Sequence, residues 1–179
     1  MLSRRLGRRI PVAVAAVALA WAGVAGGAPA HQRKATILEG TVSAVVDGDT
    51  IKVVSRGFET PVRLIGIDTP ESVKPNTPVK CFGKEASKHT AELLPEGTPV
   101  RLVLDVEERD RYDRLLAYVY RAADGDFVNL TIARDGYAQQ ATFPPNVAHV
   151  DEFRAAVADA RGAGRGLWSA CRDDDPFAR

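Results

Sequence analysis

Past its first thirty residues the chain has no long apolar run, which argues against a multi-spanning membrane protein. It has no internal repeat, so a solenoid or propeller is not suggested. Hydrophobic residues at 45% and charged residues at 26% lie in the ordinary globular range, which speaks against wholesale disorder. Cysteine is scarce: only Cys81 and Cys171 are present. An even pair in an oxidising compartment favours a disulfide. On the chain-entropy picture, closing a loop of about ninety residues would stabilise the fold by about 4 to 5 kcal/mol. Two buried free thiols remain the other reading.

The first thirty residues differ in composition from the rest. Arg4, Arg5, Arg8 and Arg9 form a positive opening, Ile10 to Gly27 is rich in Ala and Val, and Ala28-Pro29-Ala30 offers a small-x-small cleavage site. The segment reads as a signal peptide over 1–30, with cleavage near Ala30 and a secreted or cell-envelope product. An uncleaved anchor is the alternative, for which the stretch is short and alanine-heavy. Without its four arginines, 20 Lys and Arg face 23 Asp and Glu, a net of −3. Basic excess is therefore also missing. A protein that held a polyanion through counterion release alone would carry one. If this chain handles phosphate, the positive charge is local or comes from a bound cation.

The 179-residue chain suffices for one domain, expected over 35–171, with 172–179 as a solvated tail. Ala35 to Val46 and Thr50 to Val54, joined at Asp47-Gly48-Asp49, look like a β-hairpin. Further strands are expected over Val62 to Ile67, Arg101 to Val106 and Leu115 to Tyr120. Helical patterns cover Lys84 to Leu94 and Val150 to Arg161, the latter with Phe153, Ala156, Val157 and Ala160 on one face; Asn129 could cap a short helix ending at Gly136. About five short strands with three packed helices suggest an α+β, mainly β fold: a small closed barrel of the oligonucleotide-binding type.

Three segments concentrate the chemistry. Asp47-Gly48-Asp49-Thr50 sets two carboxylates around a glycine, although Asp-Gly is also a common hairpin turn. Arg63 lies in an apolar run that ends in Asp68-Thr69-Pro70-Glu71, which puts a guanidinium and carboxylates at one end of a barrel; an ion pair at a solvated strand end is the plainer reading. Arg109-Asp110-Arg111-Tyr112-Asp113-Arg114 gathers three arginines around a tyrosine before a strand, and could equally be a charged surface turn.

In this order and at these spacings, the three segments resemble those of the staphylococcal nuclease (thermonuclease) family. Phe82-Gly83-Lys84-Glu85-Ala86-Ser87, the Asn129 to Gly136 helix, Pro145-Asn146 and Gly166-Leu167-Trp168 extend the similarity from about Ala35 through Trp168. The resemblance implies a five-stranded oligonucleotide-binding barrel with three helices and a calcium-dependent endonuclease that leaves 3′-phosphate ends on DNA and/or RNA. It implies Asp49, Asp68 and the carbonyl of Thr69 as calcium ligands, a donor set that suits a hard cation taking roughly six to eight oxygens. Asp47 would orient a metal-bound water. Arg63 and Arg114 would be the catalytic arginines, gripping phosphate oxygens as charge develops. Glu71 would accept a proton from attacking water, and Tyr112 would line the nucleotide pocket.

Departures from the family pattern fall beside these residues. Asp113 stands where the best-known member has glycine, next to Arg114. Around Thr142-Phe143-Pro144-Pro145 a pair of pocket tyrosines is missing, and Phe143 takes the place of one. The two cysteines are also absent from that member. The rival function is a non-catalytic nucleic-acid-binding module, since a barrel alone does not prove hydrolysis. The substrate expected is nucleic acid, with no stable membrane partner and a monomeric state.

Overall fold

The computed structural model describes residues 35–72 and 80–171, so the expected leader and tail lie outside the described residues. Five strands close into a barrel in the order β1-β2-β3-β6-β5: β1 (Ile37–Asp47), β2 (Thr50–Ser55), β3 (Phe58–Leu64), β5 (Pro99–Arg109) and β6 (Leu115–Arg121). Two short strands outside it, β4 (Gly66–Asp68) and β7 (Gln139–Ala141), pair with each other. The helices are α1 (Gly83–Leu93), α2 (Val128–Arg134), α3 (Val150–Gly162) and a short α4 (Leu167–Ala170), which the sequence pattern did not reveal.

Alternation builds the barrel interior. Val42, Ile51, Val53, Val62, Leu64, Val100, Leu102 and Val119 are all essentially buried and meet in one core. Each such side chain stabilises the fold by about 1.5 to 3 kcal/mol relative to exposure. β1 and β2 form the expected hairpin, with Asp47 paired to Thr50 and Gly48-Asp49 as its two-residue turn. Every barrel pairing is antiparallel except β3 with β6, which run parallel and pair Val62 with Leu115 and Arg63 with Leu116.

The strand expected over Val62 to Ile67 is in fact two strands. The chain leaves the barrel after Leu64 and turns at Gly66, whose φ of 87° is a left-handed conformation, and a Cβ there would run into the Phe153 ring. Beyond that turn, β4 pairs Ile67 with Gln140 and Asp68 with Gln139. Apolar content continues across the break, so composition could not reveal it.

Helix α3 buries Phe153 and Ala160, with Ala156 and Val157 packed at the core margin, the face expected from its spacing. Asn129 is not a cap: Phe127 holds that position, and Asn129 is fully buried in the first turn of α2. Its Oδ1 accepts the Val119 N–H at 2.9 Å, and its Nδ2 donates to the carbonyls of Ile65 at 2.9 Å and Ala117 at 3.1 Å. One amide thus satisfies main-chain groups where β6 and the end of β3 diverge. Cys81 and Cys171 are joined by a disulfide, with 5.9 Å between their Cα atoms. Among the described residues no helix is long and apolar enough to cross a membrane.

Truncating Asn129 strands the Val119 N–H and the Ile65 carbonyl, while the Ala117 carbonyl keeps the Ile65 N–H at 3.2 Å. Asn129→Ala is expected to cost about 2 kcal/mol or more, at roughly 1 to 3 kcal/mol per unsatisfied group, read as a lowered urea midpoint with an unchanged slope.

Candidate active site

The hairpin turn, the β3–β4 break and the loop before β6 converge on one cleft of about 990 Å³ at the end of the barrel. Its lining includes Asp47, Asp49, Arg63, Asp68, Thr69, Glu71, Tyr112, Arg114 and Phe143, so every expected site residue outside the disulfide reaches it. Topology explains the convergence. Arg63 and the strand that follows Arg114 are neighbours through the parallel β3–β6 pairing, and Asp49 lies opposite because Thr50 pairs with Arg63.

Asp49 is buried at 4% exposure, and each of its oxygens is engaged. Its Oδ1 receives Arg63 Nη1 in an ion pair and the Thr50 hydroxyl at 3.0 Å. Its Oδ2 accepts the Thr69 N–H at 2.9 Å and the Thr69 hydroxyl at 3.1 Å. Arg63 also donates through Nη2 to Asp68 Oδ1 at 2.8 Å and to the Ile67 carbonyl at 3.1 Å. One guanidinium therefore spans two aspartates, Asp49 from the β1–β2 turn and Asp68 from β4. Burial lowers the Arg63 pKa from its usual value and Asp68 opposes that shift; at neutral pH the charge is retained.

Gly48 owes its place to crowding rather than to a left-handed backbone. A Cβ there would come within 2.6 Å of the Thr69 hydroxyl and 2.9 Å of its Cβ. The Gly48 carbonyl accepts the buried Thr90 hydroxyl at 2.6 Å, which ties α1 to the turn. Asp47 directs Oδ1 to the Gly48 N–H at 2.8 Å and to the Ser72 hydroxyl at 2.6 Å. Ser72, directly after Glu71, was missed by sequence reasoning, because its partner lies on another strand and no local pattern connects them.

Arg114 is gripped by Asp110, whose Oδ2 accepts Nε and Nη2, both at 2.7 Å, while Oδ1 accepts the Arg114 N–H at 3.0 Å. Arg114 Nη1 lies 3.5 Å from the Thr50 hydroxyl, which itself donates to Asp49. Asp113, which the sequence sets beside Arg114, turns away. Its φ of 62° swings the carboxylate to Arg109 Nη1 at 3.3 Å, leaving the side chain largely exposed. A left-handed φ of this kind is one that glycine adopts without strain and aspartate more readily than most residues. Tyr112 is exposed under Arg111 and Arg114, whose guanidinium carbons lie 4.8 and 5.6 Å from its ring centroid, and its hydroxyl accepts Arg111 Nη2 at 2.7 Å. Phe143 is also exposed. Asn146 steadies its loop by accepting the Glu107 N–H at 2.8 Å and donating to the Glu107 carbonyl at 2.9 Å.

Six acidic residues and four basic ones line the cleft. Such a surface takes a polyanion poorly without added positive charge. Among the described residues no three His, Cys, Asp or Glu side chains are grouped to hold a metal by themselves. Asp49 and Asp68, held together by Arg63, and the Thr69 carbonyl, the one Thr69 oxygen outside the Asp49 contacts, are all hard oxygen donors. They fit a hard divalent cation that completes its shell with water and substrate, and fit poorly a soft or borderline metal.

Residues 61–170 match the family described as staphylococcal nuclease homologue. The chain is 41% identical over 128 residues to "Thermonuclease" of Staphylococcus hyicus, covering 72% of this chain and 74% of the relative. "Thermonuclease" of Staphylococcus intermedius is 39% identical over 153 residues, 84% of this chain and 86% of the relative. "Endonuclease YncB" of Bacillus subtilis is 38% identical over 145 residues, covering 80% and 67%.

The grip on Arg114 carries a pH signature. Burial raises the Asp110 pKa, but the side-chain and main-chain bonds from Arg114 outweigh it and leave the value below 3.8. A depressed carboxylate contributes stability above its unfolded pKa and loses it as pH falls through the folded one. Asp110→Asn is therefore expected to lower the thermal midpoint by a constant amount above about pH 5. The gap should close as acid passes below 3.8, the ordinary value. A gap that stays constant to the lowest pH at which both proteins remain folded would count against the ion pair.

Proposed function

Because the chain belongs to the staphylococcal nuclease family, we propose that it is a calcium-dependent endonuclease that hydrolyses phosphodiester bonds of DNA and/or RNA and leaves 3′-phosphate ends. The observation that carries this reading is the meeting of Arg63, Arg114, Asp49, Asp68 and Glu71 in one cleft. An oligonucleotide-binding barrel needs only basic and aromatic groups to hold a strand. Paired arginines facing clustered carboxylates are the equipment for hydrolysing one.

In this reading Glu71 accepts a proton from the water that attacks phosphorus, and Asp47 helps to orient that water. Arg63 and Arg114 hold the phosphate oxygens, where two fixed guanidinium forks stabilise the charge of a pentacovalent transition state. Both arginines hold aspartates here, so gripping phosphate requires Arg63 to trade a carboxylate contact for a phosphate oxygen, and Arg114 to present the Nη1 side that Asp110 leaves open. Asp49, Asp68 and the Thr69 carbonyl would hold calcium, which when bound supplies positive charge to the phosphate and to the water. Tyr112 and Phe143, exposed at the mouth, are suited to stack on bases and so favour single-stranded segments. The Cys81–Cys171 disulfide supports an oxidising destination, in keeping with a leader over 1–30 and a secreted, monomeric protein.

Digestion of single-stranded DNA, duplex DNA and RNA in calcium, in magnesium and with a chelator tests the reading. Calcium is expected to support cutting and the chelator to abolish it. Glu71→Gln should lower kcat roughly 10²- to 10⁴-fold. Arg63→Lys and Arg114→Lys should each lower it about 10²- to 10³-fold, because an ammonium cannot grip two oxygens in a plane. Absence of cutting by the folded chain on any substrate would leave a nucleic-acid-binding module as the function.

A further inference from the structure

We infer that the Cys81–Cys171 disulfide is a positioning element for Glu71, acting through the turn from Lys80 to Gly83. The inference rests on the nuclease reading, in which Glu71 handles the attacking water.

The Glu71 carbonyl accepts the Lys80 N–H at 3.0 Å, and the Lys80 carbonyl accepts the Gly83 N–H at 3.0 Å. Gly83 lies against the same peptide: a Cβ there would be 2.7 Å from the Glu71 oxygen and 3.2 Å from the Pro70 oxygen. Glu71 thus leans on a tight turn, and Cys81 is part of that turn. Phe82 beside it has a φ of 67°, a left-handed conformation that a bulky residue takes only when its surroundings hold it there. Those surroundings are a small apolar cluster of Leu167, Trp168, Cys81 and Cys171, with Tyr137 packed on Phe82 at 5.1 Å between centroids.

The other end of the disulfide is firmly seated. Cys171 ends α4, a helix of four residues that could not persist alone. It is fixed by the Leu167 N–H, which donates to the Gly136 carbonyl at 2.9 Å, and by the contact of Gly166 with Gly136 at the end of α2. A covalent path therefore runs from this anchor to the turn that supports Glu71. On its other side Glu71 is followed by Ser72, which holds Asp47. Cutting the disulfide leaves the first of these two holds to hydrogen bonds and packing. Misplacing a reacting group by about 1 Å can cost on the order of 10²-fold in rate, so the loss should appear in the chemical step.

The full oxidised chain, Cys81→Ser/Cys171→Ser and Gly83→Ala are compared for kcat, KM and calcium dependence, each well below its own unfolding midpoint by circular dichroism. Both variants are expected to lose about tenfold or more in kcat, with KM and the calcium requirement within about twofold. In a Glu71→Gln background, removing the disulfide is expected to change kcat by less than about twofold, because both changes act through one group. A folded serine variant with kcat within twofold of the oxidised chain would overturn the inference and leave the disulfide a stabilising link only. If the serine variant does not fold, Gly83→Ala, which keeps the disulfide, decides, and an unchanged kcat overturns the inference. Failure of the oxidised chain itself to cut is a separate result, and overturns the nuclease reading on which this one rests.

Discussion

Arg63 is the charge around which this end of the barrel is organised. Its guanidinium faces Asp49 from the β1–β2 turn and Asp68 from β4, and it is itself mostly buried. Two carboxylates brought together in a partly dry site repel each other, and a fixed cation between them offsets both that repulsion and much of their lost hydration. The rest of the site follows. Thr69 closes on the far oxygen of Asp49, Gly48 is bare because Thr69 comes so near, and Thr50 extends the network toward Arg114. Disturbing Arg63 leaves the buried Asp49 and the half-exposed Asp68 without their cation, so stability and chemistry are coupled at this residue.

The scaffold resists that electrostatic load from behind. Asn129 satisfies main-chain groups at the place where β3 stops being part of the barrel, and Thr90 holds the acidic turn from the side of α1. Both residues are polar, buried and fully engaged, and neither lines the cleft. Their cost in desolvation is justified by the irregular backbone they hold, since a strand that leaves a barrel must find partners for the groups it exposes.

Much of this was legible in the amino-acid sequence. Alternation gave the barrel strands, helical spacing gave the buried face of α3, and the resemblance gathered residues that do share one cleft. What escaped were features decided by distant contacts. The break at Gly66 depends on Phe153 from α3, and composition runs through it unchanged. Asn129 reads locally as a cap because its partners lie on other elements. Asp113 stands next to Arg114 in the sequence, yet a left-handed φ turns it to Arg109, while Asp110 takes Arg114 by both its side chain and its backbone. Residue types foretold which groups meet; backbone direction decided which pairs they form.

The parallel pairing of β3 with β6 has a consequence in time as well as in space. Arg63 and Arg114 are about fifty positions apart in the chain, and they become neighbours only when these two strands join and the barrel closes. Local hairpins can form in a nascent or refolding chain without bringing the two guanidiniums together. A half-folded molecule therefore carries the arginines and the acids but not their constellation, which exists only once the barrel has closed.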